Sequence, residues 1–363
     1  MKKILLLGDV NSAHIRKWAT GIASLGFDTS LFSIATPDSD WYTKAGIRFF
    51  HSGDEVAKNN YSSSDFSKLS YLKKSAALKK IIKDVSPDVV HAHYATSYGI
   101  LGALSGKHPF LVSFWGSDVF DFPQRSVFHR LFLKYVISRS DRLLSTSKVM
   151  KIEISKYTSR EVDVTPFGID LDEFMNFGMK DDSFFTIGII KSLEDYYGID
   201  NLIHAFSIVL KRHPEKKIRL MIVGDGPQRD SLKKLADNLG VTGNVVFAGK
   251  IPREEVPAMH NRFNLFVCPS LRESFGVSVL EASACEVPVI VTNVGGLPEV
   301  VQHNESGIVL KTHEITELAD AICSFLDDPN LISLFGKGGR KFVKDNYDWN
   351  KNLALINDIY RRI

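Results

Sequence analysis

The sequence predicts an α/β protein made of two open parallel sheets, each layered with helices, and three observations carry that prediction. Short apolar runs alternate with longer segments whose apolar residues recur at helical spacing, the pattern of strand–helix–strand units. The 363 residues are too many for one small core and ordinary for two domains. Midway, Pro166-Phe167-Gly168-Ile169-Asp170 and the polar stretch from Asn176 to Asp182 break both periodicities and place a linker at about 167–182.

Taken in order, the first half offers strands at Lys3 to Gly8, Thr29 to Ile34, Asp88 to Ala92, Phe110 to Phe114 and Leu143 to Thr146. Between them, Ile15, Trp18, Ala19 and Ile22 fall at i, i+3, i+4 and i+7. Leu78, Ile81, Ile82 and Val85 repeat that spacing, so each segment is a helix with one buried stripe. His91 and His93, two apart, are expected on opposite faces of their strand. The second half offers strands at Phe184 to Ile190, Ile218 to Val223, Val245 to Ala248, Leu265 to Cys268 and Val287 to Val291. Two such sheets are expected to face each other across a cleft at the carboxyl ends of their strands. Apart from a Ser-rich loop at Ser62 to Ser64, there is no low-complexity tract and no repeat of solenoid period.

With 44% hydrophobic and 24% charged residues, extended disorder, collagen-like repeats and coiled coil are excluded. Residues 1–176 carry 23 basic and 18 acidic side chains, while the remainder is slightly acidic. That excess is too small for a nucleic-acid binder, yet it suits an anionic substrate or a membrane surface. Cys268, Cys285 and Cys323 match no zinc spacing, which reads as a reducing compartment without disulfides. The apolar run after Lys2-Lys3 is too short for a secretory signal, so a cytoplasmic protein, at most peripherally membrane-bound, is expected.

The segment from Cys268 to Cys285 carries the chemistry. A strand ends at Pro269, and a helix is expected from Phe275 or Gly276 with Val277, Leu280 and Ala284 on its apolar face. Glu281 lies on that same face, where a carboxylate is costly to bury unless it is hydrogen-bonded, and its oxygens suit paired hydroxyls such as those of a ribose. Glu273 stands just before the helix, and the backbone amides of Phe275, Gly276 and Val277 form a helix N-terminus suited to a diphosphate. The bland alternative turns Glu281 to solvent and leaves Glu273 to the helix dipole. Downstream, Val289 to Val291 runs into Gly295-Gly296, which would admit an anion or simply make a turn.

Glu273, seven residues, Glu281, then Pro288-Val289-Ile290 and Gly295-Gly296-Leu297-Pro298-Glu299 resemble the signature of family 4 retaining glycosyltransferases of the GT-B fold. Segments similar to that family recur in the expected order: Ser12-Ala13-His14, Val89 to His93, Gly116-Ser117-Asp118, Pro166 to Asp170 with Phe174, and Val223 to Pro227. The resemblance implies an acceptor-side domain at 1–170, a nucleotide-sugar-binding domain at 171–345, and a terminal helix at 346–363 packing back on the first. It further implies that Glu273 meets the donor sugar and Glu281 the ribose, with Phe275, Gly276, Val277, Gly224 and Gly188 also on the donor. His14 and Asp118 are implied near the acceptor or donor.

The family's basic pair on the diphosphate is replaced here by Lys191-Ser192-Leu193-Glu194-Asp195-Tyr196-Tyr197-Gly198, which is similar to one branch of the family. Lys191 supplies one cation, and Tyr196 or Tyr197 occupies the second basic position. Glu286 stands where the family generally has Gly. The implied reaction moves a hexosyl unit from a nucleotide-diphosphate sugar to a glycan or lipid-linked acceptor in cell-surface polysaccharide synthesis, without cofactor or metal. Asp38-Ser39-Asp40 and Asp170-Leu171-Asp172 match a metal-binding pattern but fall in turn and linker contexts. Rival readings are a nucleotide-sugar epimerase, a dinucleotide dehydrogenase, against which Gly224-Asp225-Gly226 lacks the third glycine, and a scaffold subunit without turnover. Two basic segments, Leu69 to Lys83 and Val127 to Arg139, read as solvated helices or as contacts to an anionic membrane.

Overall fold

The computed structural model describes residues 1–52, 68–181 and 183–363, so Ser62 to Ser64 and Asp182 lie outside the described residues. The chain divides into two compact units, Met1–Pro166 with Asn352–Ile363, and Phe167–Lys351.

The first unit holds seven parallel strands: β1 (Lys3–Leu7), β2 (Asp28–Ser33), β3 (Arg48–His51), β4 (Val89–His93), β5 (Phe110–Phe114), β6 (Arg142–Ser145) and β7 (Val162–Val164). Their order is β3-β2-β1-β4-β5-β6-β7. Central β4 and β5 are buried at every residue, as expected for a parallel sheet covered on both faces. The helix Ala13–Ser24 turns Ile15, Trp18, Ala19 and Ile22 inward, and the Ser12 hydroxyl caps it by accepting the Ile15 N–H. His91 and His93 share one face of β4, with ring centroids 4.2 Å apart. The expectation of opposite faces fails because side chains alternate with period two, so residues i and i+2 point the same way.

The terminal helix, Trp349–Arg362, starts three residues later than expected. Tyr360 on it is fully buried, and its hydroxyl lies 2.6 Å from Nδ1 of His91. Its carbonyl accepts from Lys2 Nζ at 2.7 Å, which ties the last turn to the start of β1.

The second unit holds six parallel strands: β8 (Phe185–Ile190), β9 (Ile218–Val223), β10 (Val245–Gly249), β11 (Leu265–Cys268), β12 (Val289–Val291) and β13 (Gly307–Val309). They are ordered β10-β9-β8-β11-β12-β13. Strands β3, β7 and β13, absent from the sequence expectation, are sheet edges of three or four residues, too short and too exposed to show a period.

Much of the expected linker is anchored rather than free. Ile169 exchanges backbone hydrogen bonds with Tyr347 and Trp349, Phe174 is fully buried, and Arg340 donates to the carbonyls of Leu171, Phe174 and Ala284. Residues 167–174 thus belong to the body of the second unit.

Candidate functional site

The strand order of the second unit reverses between β8 and β11, and the loops leaving these two neighbours diverge at their carboxyl ends. Such a switch point is where open α/β sheets bind ligands. Lys191 is the first residue after β8, and Glu273 lies in the loop after β11. The topology brings them together: Lys191 Nζ donates to Glu273 Oε2, with the two side chains only 14% and 11% exposed. The ammonium also lies 4.5 Å from the centre of the Tyr197 ring. Burial by itself would lower the Lys191 pKa. The Glu273 carboxylate, aided by Cys268 and Tyr197, outweighs burial and holds it above its ordinary value, so the side chain stays charged.

The helix expected after Glu273 runs from Val277 to Ala284, with Gly276 as its N-cap residue at φ 107°. A Cβ on Gly276 would stand 2.9 Å from Leu297, and the positive φ suits only glycine. The Phe275 side chain is buried between Phe167 and Tyr347, so it can offer a ligand only its backbone. The amides of Phe275, Gly276 and Val277 lie at the helix start, where donors have no intrahelical partner.

Glu281, on the second turn, is buried as its helical position implies, with its side chain 8% exposed. The sequence reading missed what holds it. Arg253 donates to Glu281 Oε1 at 3.2 Å and reaches Glu173 Oε2 at 3.4 Å. Nε2 of the fully buried His260 lies 3.7 Å from the other Glu281 oxygen. Arg253 and His260 stand on one helical segment ahead of β11, a turn at Arg253–Glu255 running into a helix at Val256–His260, with no motif spacing to Glu281 or Glu173; a buried carboxylate's need for a partner was the only available signal.

Other expected donor residues are glycines for which packing gives a reason. Gly188 lies inside β8, where a Cβ would meet the Phe263 ring at 2.3 Å; packing a ring against the sheet explains this glycine, and the donor reading of it is withdrawn. Gly224, at φ 136°, lets the turn after β9 approach Lys191, whose carbonyl a Cβ would meet at 1.8 Å. Gly295 and Gly296 serve likewise against the Glu273 loop, and the Gly296 N–H donates to the Glu273 carbonyl at 3.0 Å. That amide is therefore committed to the loop and not to an anion.

In the first unit, Asp118 is fully buried and its carboxylate accepts from the N–H groups of Ala95, Gly116 and Trp115 at 2.8, 2.8 and 3.1 Å. Burial pushes this carboxyl up to about 6 against the downward pull of those three donors and of its own backbone N–H. Asp118 thus ties the loop after β4 to the loop after β5 and positions them, a role in place of direct chemistry for this residue. His14 is half-buried on the first turn of its helix, edge-on to Trp115 at 5.8 Å. His93 packs 5.1 Å from the same ring; it is buried, has no hydrogen-bond partner at either nitrogen among the described residues, and is held by burial at about 3. Of the two Asp-x-Asp matches, Asp170 accepts the N–H groups of Asp172 and Glu173 in a turn, and Asp40 pairs with Lys44. Among the described residues, no group of three metal-ligating side chains stands together.

Comparison with known proteins agrees with this architecture. Residues 170–342 match the family described as glycosyl transferases group 1, and residues 3–147 match glycosyl transferase 4-like proteins. An uncharacterised glycosyltransferase of Methanocaldococcus jannaschii is 26% identical over 78% of this chain and 78% of its own. A GDP-mannose-dependent α-(1-6)-phosphatidylinositol monomannoside mannosyltransferase of Mycobacterium tuberculosis is 34% identical over 48% of this chain and 47% of the relative. In fold, the chain is similar to Anabaena HepE, solved in complex with UDP and glucose, with a TM-score of 0.81 at 18% identity over the whole of both chains. Two Rossmann-like sheets of seven and six parallel strands, each matched by a glycosyltransferase family model, make this a glycosyltransferase of the GT-B fold whose second half matches the group 1 family.

Proposed function

We propose that this glycosyltransferase moves a hexosyl unit from a nucleoside-diphosphate sugar to a glycan or lipid-linked acceptor, with retention of anomeric configuration, on the cytoplasmic side of a membrane where cell-surface polysaccharide is assembled. The observation that carries the reading is the Lys191–Glu273 pair at the β8/β11 switch point, beside a helix N-terminus and one turn short of the buried Glu281. Lys191 and the amides of Phe275, Gly276 and Val277 face the diphosphate, Glu273 the donor sugar and Glu281 the ribose hydroxyls. The names of two similar proteins support a nucleotide-sugar donor, one specifying GDP-mannose and the other solved with UDP, and the mannosyltransferase's name supports a lipid-linked acceptor.

In the proposed step the acceptor oxygen bonds to the anomeric carbon while the bond from that carbon to the diphosphate oxygen breaks. Its electron pair stays on the diphosphate, and the acceptor proton passes to a phosphate oxygen on the same face. Negative charge grows on the leaving group, where a preorganised cation and aligned N–H donors are most effective. No protein nucleophile is required, and the reaction proceeds without a divalent metal. His14 meets the acceptor. A thermal-shift screen across UDP-, GDP- and ADP-sugars tests the donor class, because a ligand bound only by the folded protein raises its melting temperature. Incubation of the shifting donor with lipid-linked glycan, followed by NMR of the new linkage, tests retention. A protein that no nucleotide sugar stabilises, and that neither hydrolyses nor transfers one, overturns the reading.

A further inference from the structure

The helix Val127–Arg139 has two apolar sides, whereas a surface helix needs only one. Leu133, Val136 and Ile137 face the core. On the opposite side Val127, Phe128, Leu131, Phe132 and Tyr135 are exposed, at 66%, 82%, 57%, 39% and 40%. At ~100° per residue these five fall within an arc of roughly 140°, centred away from the buried side. Single exposed apolar residues are ordinary, but five on one short helix make a contiguous patch that soluble surfaces rarely leave uncovered. Charge says what covers it. Residues 122–140 contain Arg125, Arg130, Lys134 and Arg139 and no acidic side chain. Arg130 and Lys134 lie one turn apart along one edge of the stripe, and Arg139 closes its far end.

The other basic helix, Lys68–Val85, exposes Lys73, Lys79, Lys80 and Lys83 but no large apolar residue among its described side chains, so it is a solvated face. No helix among the described residues is long and apolar enough to cross a membrane. An apolar stripe bordered by cations on a helix too short to span is the chemistry of one lying in the plane of an anionic lipid surface, rings among the acyl chains and cations at the headgroups. We propose that the outward face of Val127–Arg139 docks this protein on an anionic bilayer.

The docking is independent of the assignments made for Lys191, Glu273 and Glu281, and its test reads binding, not turnover. Full-length protein is sedimented with vesicles of phosphatidylcholine alone and with vesicles containing phosphatidylglycerol, at low and high salt, alongside Phe128→Ser/Leu131→Ser and Arg130→Ala/Lys134→Ala. All four side chains are exposed, so both variants should fold, as circular dichroism and an unchanged melting temperature would show. Wild-type protein should bind only the anionic vesicles and release in high salt. The charge variant should bind about 30-fold more weakly, from roughly fivefold per cation, and the apolar variant at least ~10-fold more weakly. Wild-type protein that stays in the supernatant overturns the proposal, as do folded variants that bind like wild type. A wild-type dimer in light scattering that the apolar variant turns into monomer, with vesicle binding unchanged, would instead give the patch to a second copy of the chain and also overturn it.

Discussion

Removing either member of the Lys191–Glu273 pair should destabilise the second unit, and removing both should restore most of the loss. With side chains 14% and 11% exposed, each partner loses most of its hydration on folding and relies on the other for compensation. Taking away one partner of a buried pair typically costs ~3 to 5 kcal/mol, whereas replacing both by apolar groups of similar volume is often neutral. Glu273→Leu and Lys191→Met are each expected to cost about 3 kcal/mol, or ~6 to 12 °C in melting temperature for a unit of this size. The double variant should lie within about 1 kcal/mol of wild type, a coupling far above the few tenths expected of independent sites.

The pH dependence gives a second check. Glu273 holds the folded pKa of Lys191 above its unfolded value, so the pair's contribution is fully present below pH 10.5 and is lost as pH rises through the higher folded pKa. The gap between wild type and Glu273→Leu should therefore narrow in strong base. Calorimetry on the full chain measures each shift, and titration with free nucleoside diphosphate separates structure from function. Lys191→Met should lose that affinity, while Glu273→Leu should keep it and lose turnover, because its proposed partner is the sugar. Single variants that each cost under ~0.5 kcal/mol, or a double variant whose loss equals their sum, would refute the account of the pair.

Glu281→Gln should weaken nucleoside-diphosphate binding roughly 10- to 100-fold, the value of a charged hydrogen bond at ~1.5 to 3 kcal/mol; isothermal titration showing unchanged affinity would remove the ribose assignment. Glu286 sits at φ 57°, a left-handed conformation that costs a non-glycine residue ~1 to 2 kcal/mol, while the exposed Asn176 hydrogen bond at 3.1 Å is worth ~0.5 kcal/mol, so Glu286→Gly should raise the melting temperature by roughly 1 to 4 °C. His93 is held by burial at about 3 against 6.5 when unfolded, so its neutral form contributes no penalty above pH 6.5, and stability falls as pH drops from there toward 3. His93→Leu should abolish that part of the acid sensitivity, worth about 2 kcal/mol at pH 5, in urea melts compared across pH. Activity should persist in excess chelator; loss on chelation with recovery on adding Mg²⁺ or Mn²⁺ would refute metal independence.

The central strands were legible in the sequence because parallel strands buried on both faces write themselves as short apolar runs, and Phe110–Phe114, Ile218–Val223 and Leu265–Cys268 fall at the expected residues. Lys191, Glu273 and Glu281 stood out for a different reason: the first two are charges just beyond the ends of strands, and Glu281 interrupts the apolar face of its helix. Glycines were the least legible. Gly188, Gly224 and Gly295 look alike in sequence, yet the first makes room for the Phe263 ring, and the others let backbone approach Lys191 and Glu273. A missing Cβ records that something is close without saying what. The same limit hid Arg253 and His260, whose relation to Glu281 exists only once the segment before β11 is folded against the helix after it.

Tyr196 and Tyr197, one of which the resemblance sets at the second basic position, acquire a physical role from this arrangement. Tyr197 places its ring 4.5 Å from the Lys191 ammonium, and Tyr196 carries the Arg272 guanidinium 5.0 Å from its own ring. The backbone repeats the connection, since the Tyr196 carbonyl accepts from the N–H groups of Leu271 and Arg272 at 2.9 and 3.3 Å. An aromatic face attracts a cation without neutralising it, unlike a carboxylate. One short segment after β8 therefore holds a cation on each of two adjacent rings, one from its own strand end and one from the loop that carries Glu273. The segment thus supplies two rings that hold cations arriving from both sides of the switch point.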